Sequence, residues 1–254
     1  MAAPGPDIRF YRFFPDAPAP RRADNSGAGT ISTRAYRYCE ALRLASGWGY
    51  WLFAPLAFQV VWDGHEIAWR TAGMEEWEPL QDTAMFPGFP EAWDAARPPG
   101  RENALPPVFL TAFPEPGLMQ ITLGIVPTVN PGWMLHLRPV PNFPAPAHVA
   151  MFEGLVDGEA YRFGPLFANI RLTATDRPIT FLADRPLMQL TPVPRYLLDD
   201  DAKTGPQGKV VPVTDQADWG DDQWSWYHQT IVEPASRPAR MHGEYAVRAR
   251  KGPP

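Results

Sequence analysis

One cysteine, Cys39, is all that the chain carries, so no internal disulfide can staple it and burial must supply the stability. Cys39 falls in a helical pattern with Tyr36, Tyr38 and Leu42 and reads as a small buried apolar residue rather than a nucleophile. No apolar run approaches the roughly 18 residues that a membrane-spanning helix needs. The first residues, MAAPGPDIRFYRFFP, lack the apolar core of a signal peptide, and the expectation is a cytoplasmic protein with no membrane partner. Charge of one sign is also missing: 23 Lys+Arg stand against 28 Asp+Glu, a formal net charge of −5. Without a positive field no nucleic acid is expected as partner, and the basic tail of Arg237, Arg240, Arg248, Arg250 and Lys251 reads as a solvated terminus. There is no G-x-S-x-G elbow, no P-loop and no G-x-G-x-x-G after a strand, so serine hydrolase, NTPase and dinucleotide-enzyme readings lack their loops. No internal repeat of about 20 to 50 residues suggests a solenoid or propeller.

What is abundant is proline, 32 residues, with 10 tryptophans and 14 phenylalanines. Proline fixes φ and has no N–H to donate, so a chain this rich in it forms short strands joined by many stiff loops. The 45% hydrophobic content excludes general disorder. IRFYRFF, residues 8 to 14, reads as a strand, and PDAPAPRRADNSGAG as a surface wrap. TRAYRYCEALRL, Thr33 to about Leu44, has a threonine cap and helical spacing and predicts one helix. FQVVW, a DG turn and HEIAW predict a β-hairpin. Residues 72 to 107 are polar and proline-broken yet seeded with Trp77, Phe86, Phe89 and Trp93. They predict a long covering loop, either a binding wall or one pinned down by its aromatics. Strand signals resume at VFLTAF, LMQITLGIVPTV and WMLHLRPV. After Arg195 the chain turns acidic and irregular; WSWYHQTIV would lay Trp224, Trp226 and Tyr227 on the body, and the last dozen residues are expected to fray.

The order of these elements, with PGWMLHLRPVPNFP, FEGLVDGEAYRFGPLFANI and DRPLMQLTPVPR, resembles an uncharacterised bacterial family with distant relatives among tailed-phage proteins, over nearly the whole chain up to Arg195. Within it, GLVDGEAYRFG followed by TDRPITFLADRPLMQL is similar to the dUTPase-like β-clip pattern. That resemblance implies a water-activating aspartate at Asp157, a base-stacking tyrosine near Tyr161, and a strand over Ala183 to Leu190. The family's serine-bearing phosphate motif has no counterpart: the residues after WMLHL are Arg138, Pro139 and Val140. TGPQGK is no glycine-rich arm either, so the fold rather than nucleotide hydrolysis is carried over. The expected architecture is mainly β, a β-clip-like or distorted barrel core with one short N-terminal helix and long Pro-rich loops. Residues 1–195 form the core domain and 196–254 an irregular C-terminal extension packing on it.

Asp157, Glu159 and Tyr161 share one face if their strand is regular, and paired carboxylates suit water activation or a hard cation; the other reading is a solvated hairpin loop. Arg162 lies on the opposite face and is a further candidate ligand-binding residue. His136 and Arg138 share a face of the strand WMLHLRP and would anchor an anion, unless His136 is a core histidine bonded to backbone. His228, His242 and Glu244 are the only sequence-near imidazole and carboxylate set that zinc or iron would accept; the identity of any metal or cofactor is not legible. His65 and His148 read as solvent-facing. Two functions follow. One is a small-molecule or partner-binding or assembly protein, able to self-associate through its many aromatics, with Trp77 and Trp93 in its surface. The other is an enzyme acting on a small anionic metabolite, a hydrolase or tailoring enzyme, with Asp157 as base or metal ligand.

Overall fold

Apolar runs cut short by proline, glycine and aspartate become sixteen strands among the described residues, none longer than the nine residues of the last. The computed structural model describes residues 5–198, 213, 215–237 and 243–251. In chain order these are β1 (Ile8–Arg12), β2 (Arg21–Arg22), helices α1 (Thr33–Tyr38) and α2 (Glu40–Gly47), β3 (Tyr50–Phe53), β4 (Phe58–Trp62), β5 (Ile67–Thr71), β6 (Glu78–Leu80) and β7 (Thr83–Ala84). Helix α3 (Phe89–Ala96) precedes β8 (Leu110–Ala112), β9 (Leu118–Thr122), β10 (Ile125–Val129), β11 (Trp133–Pro139), β12 (Val149–Met151) and β13 (Gly154–Asp157). The strands end with β14 (Phe167–Leu172), β15 (Ile179–Phe181) and β16 (Pro186–Pro194), and helices α4 (Asp221–Tyr227), α5 (Glu233–Ser236) and α6 (Glu244–Lys251) follow.

The chain is mainly β, in antiparallel sheets ordered β13-β11-β16-β3-β2, β12-β14-β9-β8-β7 and β15-β4-β5-β6, with β1 paired to β10. The expected hairpin is β4–β5, in which Val60 faces Trp69 and the Asp63 carboxylate accepts the N–H groups of His65 and Glu66, closing the turn. The expected barrel does not close. Each sheet keeps two outer strands, and those outer strands are too short, at two to four residues in the three larger sheets, to carry a ladder on around a cylinder.

A chain of aromatic rings runs through the core. Phe181 stacks on Phe58 at 4.8 Å, Phe58 meets Phe109 at 4.9 Å, and Phe109 meets Phe86 at 4.8 Å. Phe86 stacks on Phe14 at 4.3 Å, Phe14 meets Phe89 at 5.5 Å, and Phe89 meets Trp93 at 5.5 Å. Residues 72–107 therefore differ from the expected covering loop: they contain β6, β7 and α3, and bury Leu80, Phe86 and Phe89. Phe89 and Trp93 recur at i and i+4 on one face of α3, and Phe86 packs beside them from the segment before it. Pro90 sits where a helix tolerates it, in the first turn, after Gly88 at φ 66°.

The single expected helix is two. Ser32 rather than Thr33 caps α1, its Oγ accepting from the Ala35 N–H at 3.3 Å, and the chain breaks at half-buried Cys39, which is extended (φ −117°, ψ 95°). The break turns Glu40 inward, where it accepts from Arg43 Nη1 and from Arg250 Nε of α6, each at 2.7 Å. A buried carboxylate needs such partners, and they hold its pKa below the usual range, Arg250 first and then Arg43, against the cost of burial. Helix α6 thus docks on α1 and α2, with Ala246 buried and Gly243 against the Tyr38 ring, where fraying was expected. Trp224, Trp226 and Tyr227 are exposed rather than laid on the body; Trp224 and Tyr227 pack on Trp219.

Phe86→Ala tests the reassignment of the 72–107 segment. Emptying a fully buried ring is expected to cost about 3–5 kcal/mol in urea unfolding, and a change within about 0.5 kcal/mol would return the segment to a surface loop.

Candidate functional site

Strand β13 delivers Asp157 opposite Met134 of β11 and stops there, so the alternation that would place Asp157, Glu159 and Tyr161 on one face does not hold. Asp157 itself turns the chain. Its Oδ1 accepts the N–H of Glu159 at 2.9 Å and of Ala160 at 3.2 Å, and its carbonyl accepts the Tyr161 N–H at 2.8 Å. Its Oδ2 is ion-paired with Arg195 Nη1, and Glu159 Oε2 lies 3.5 Å from the same nitrogen. The two backbone donors, aided by Arg195 and opposed by burial, hold the Asp157 carboxyl below the usual carboxylate range. A general base works best with a pKa near the operating pH, and this carboxylate is shifted the other way. Tyr161 folds its ring over Gly164 and donates its hydroxyl to the Pro165 carbonyl at 3.1 Å; burial raises its pKa. Arg162 is exposed.

On β11, His136 and Arg138 share the face turned from the core, as their spacing implies. His136 Nε2 lies 3.4 Å from Glu153 Oε2. Arg138 donates to Gln189 Oε1 at 3.2 Å and to the Ala45 carbonyl at 3.2 Å. Gln189, fully buried, donates in turn to the Ser46 carbonyl at 3.0 Å. These side chains of the sheet satisfy carbonyls that end α2, where a cation also complements the helix dipole. Burial lowers the Arg138 pKa and Glu153 counters it. The cation is thus already answered within the protein. Trp77 lies elsewhere, under the Arg70 guanidinium at 4.4 Å. His65, His148 and His228 are exposed, and His242 lies outside the described residues. Among the described residues no three His, Cys, Asp or Glu side chains gather as a metal site would require.

One sequence-derived residue, Trp93, does line a concavity. A pocket of about 290 Å³ opens between β1, α3 and the loop that follows Asp157, walled by Tyr11, Phe13, Phe89, Trp93, Val126 and Phe163. Trp93 is fixed from behind by its indole N–H, which donates to the Ala104 carbonyl at 2.7 Å. Arg12 is the one charged side chain in the lining. Phe163 stands at the mouth, 58% exposed, with its ring 5.1 Å from that of Tyr11. Its φ of +60° is a left-handed conformation that bulky residues avoid, at a cost of about 1–3 kcal/mol. The Asp157 turn, the Arg195 ion pair and the Tyr161 ring on Gly164 hold the loop in the shape that imposes it. Asp157, Glu159 and Tyr161 therefore meet the pocket through Phe163 rather than directly. Tyr11, Phe13 and Phe163 were not singled out by the sequence; the Phe163-Gly164-Pro165 corner was the available signal.

No protein-family model matches the chain, and no curated protein matches it. Among solved structures it is similar to a dUTPase of Staphylococcus bacteriophage 80alpha, described with dUpNHpp, at 10% identity and a TM-score of 0.34, over 85% of this chain and 99% of that one. A likeness at that score carries nothing about chemistry here.

Because the Asp157 pKa is lowered on folding, its contribution to stability is complete above the carboxylate's ordinary pKa and is lost as pH falls through its own lower value. Asp157→Asn keeps an oxygen for the turn but loses the charge facing Arg195. Urea midpoints followed from neutral pH down through the carboxylate range should therefore converge for the two proteins at the acid end. Curves that stay parallel would remove the ion pair from the account.

Proposed function

We propose that the chain is a small-molecule binding protein whose site is the aromatic pocket of Tyr11, Phe13, Phe89, Trp93 and Phe163. The pocket sits in a β-clip-like body spanning residues 1–195, with 196–254 as an extension, in a cytoplasmic protein. The observation that carries this reading is Phe163: a large apolar ring held exposed and in a strained backbone conformation at the mouth of an apolar pocket. Strain of this kind persists where surrounding structure enforces it, and it clusters at ligand clamps.

The ligand's chemistry follows from the walls. A pocket of about 290 Å³ with aromatic faces accepts a one- or two-ring planar molecule by stacking. Arg12 gives it a cationic corner, which favours an aromatic acid over an aromatic amine. The enzyme reading, with Asp157 as base or metal ligand, has no comparable support, since that carboxylate closes a turn and pairs with Arg195.

Titration of the protein with indole-3-acetate and with tryptamine, followed by fluorescence and calorimetry, tests the proposal. The acid is expected to bind and the amine to bind about tenfold or more weakly; Trp93→Ala should abolish binding. Phe163→Gly provides the sharper signature. Relief of the positive φ should leave folding stability unchanged or raise it by about 1 kcal/mol, while affinity falls. A Phe163→Gly protein that binds as well as the parent would contradict the proposal.

A further inference from the structure

A second concavity, of about 320 Å³, shares no lining residue with the aromatic pocket. One wall is every residue from Pro178 to Leu182, that is, β15 and its flanks. Alternate side chains of a strand point to opposite faces, so a strand lines a groove with consecutive residues only along its edge. β15 pairs with β4 on one side and is the outer strand of its sheet, so the edge turned to the groove carries no strand partner among the described residues. The opposite wall is the segment Phe143–His148, in which Pro144 and Pro146 have no N–H to offer that edge.

The groove also has a charge. Its ionisable lining residues are Arg185 and His148, and no acidic residue lines it. The Arg185 guanidinium is held 5.5 Å above the Phe143 ring, which fixes its position without neutralising it. Arg21 is held in the same way, 4.3 Å over Phe53, and Phe53 and Phe143 belong to one apolar cluster.

We infer that this groove is a docking site for an extended, acidic peptide segment of a partner protein. The segment adds as a strand to the free edge of β15, lays alternate apolar side chains against Phe143, Pro146 and Leu182, and places a carboxylate on Arg185. Main-chain bonds to an open edge give affinity in this mode and flanking pockets give selectivity. The occupant spans about four residues, since β15 has three and Pro178 ends the usable edge at one side. A short edge strand next to a proline is also how proteins discourage aggregation, which restricts the site to short segments rather than opposing it.

The test uses the full chain and two pools of short peptides with alternating apolar residues, one carrying acidic and one basic residues at the remaining positions. Fluorescence anisotropy should show binding of the acidic pool only, weakened by salt, and hydrogen exchange should slow at the amides of residues 179–182. Arg185→Glu, an exposed substitution, should weaken the acidic pool about tenfold or more and admit the basic one, while Phe163→Gly leaves both unchanged. The inference fails if neither pool binds, if the two bind alike, or if bound peptide protects amides away from Pro178–Leu182 in the unmodified protein.

Discussion

Edge-to-face and stacked contact between phenylalanine rings is what the rest of this structure depends on. The proline-bearing segments between β1 and β2, between β7 and β8 and between β11 and β12 make few ladder hydrogen bonds, because proline has none to donate. Their attachment to the body comes from side chains instead. Phe14 anchors the first of these segments, Phe86, Phe89 and Phe109 the second, and all four rings touch within one connected stack that ends in Phe58 and Phe181. Each ring buries a large apolar surface and gains from quadrupole geometry, so the stack supplies what the missing ladder bonds do not. The stack also places both concavities. Its Trp93 end walls the aromatic pocket and its Phe181 end floors the peptide groove.

A second constraint acts on the opposite face of the β11-β16-β3 sheet. There Arg138, Gln189 and Asn142 reach the end of α2, and Glu40 at its start collects Arg43 and Arg250. Every one of these groups would be costly to bury alone. Gly49, at φ 95° with the Leu190 carbonyl where a Cβ would stand, lets the chain leave α2 and enter β3 within this packing. Of the charges that look like a ligand site in the sequence, Arg138 is spent on joining helix to sheet, and Asp157 on closing a turn and pairing with Arg195. Two cations line the concavities: Arg12 at the aromatic pocket, with Nη1 donating to the Pro15 carbonyl at 3.2 Å, and Arg185 at the groove.

Much of the fold was legible where local signals agree with tertiary ones. FQVVW-DG-HEIAW became β4 and β5 because period, turn residues and burial all point the same way. WMLHLRP was legible for the same reason, and the whole of this strand pairs with Met188–Pro194 of β16. The segment 72–107 was not, since prolines at 87 and 90 conceal the helical spacing of Phe89 and Trp93. Nor was the Asp157 loop, for a strand's alternation ends wherever a side chain caps a turn, and the Arg195 partner that fixes it lies 38 residues away. Phe163 could not have been found by residue type at all; its significance is a backbone angle.

The central claim is that the strained Phe163 loop keeps an aromatic pocket open for a planar acid. The most direct measurement is a crystal structure of the protein soaked with a mixture of small aromatic acids and amines. The account predicts an aromatic acid between Tyr11, Trp93 and Phe163, its carboxylate toward Arg12, with Phe163 still at positive φ. A pocket filled by the Phe163 ring itself, with that residue relaxed to negative φ, would contradict it.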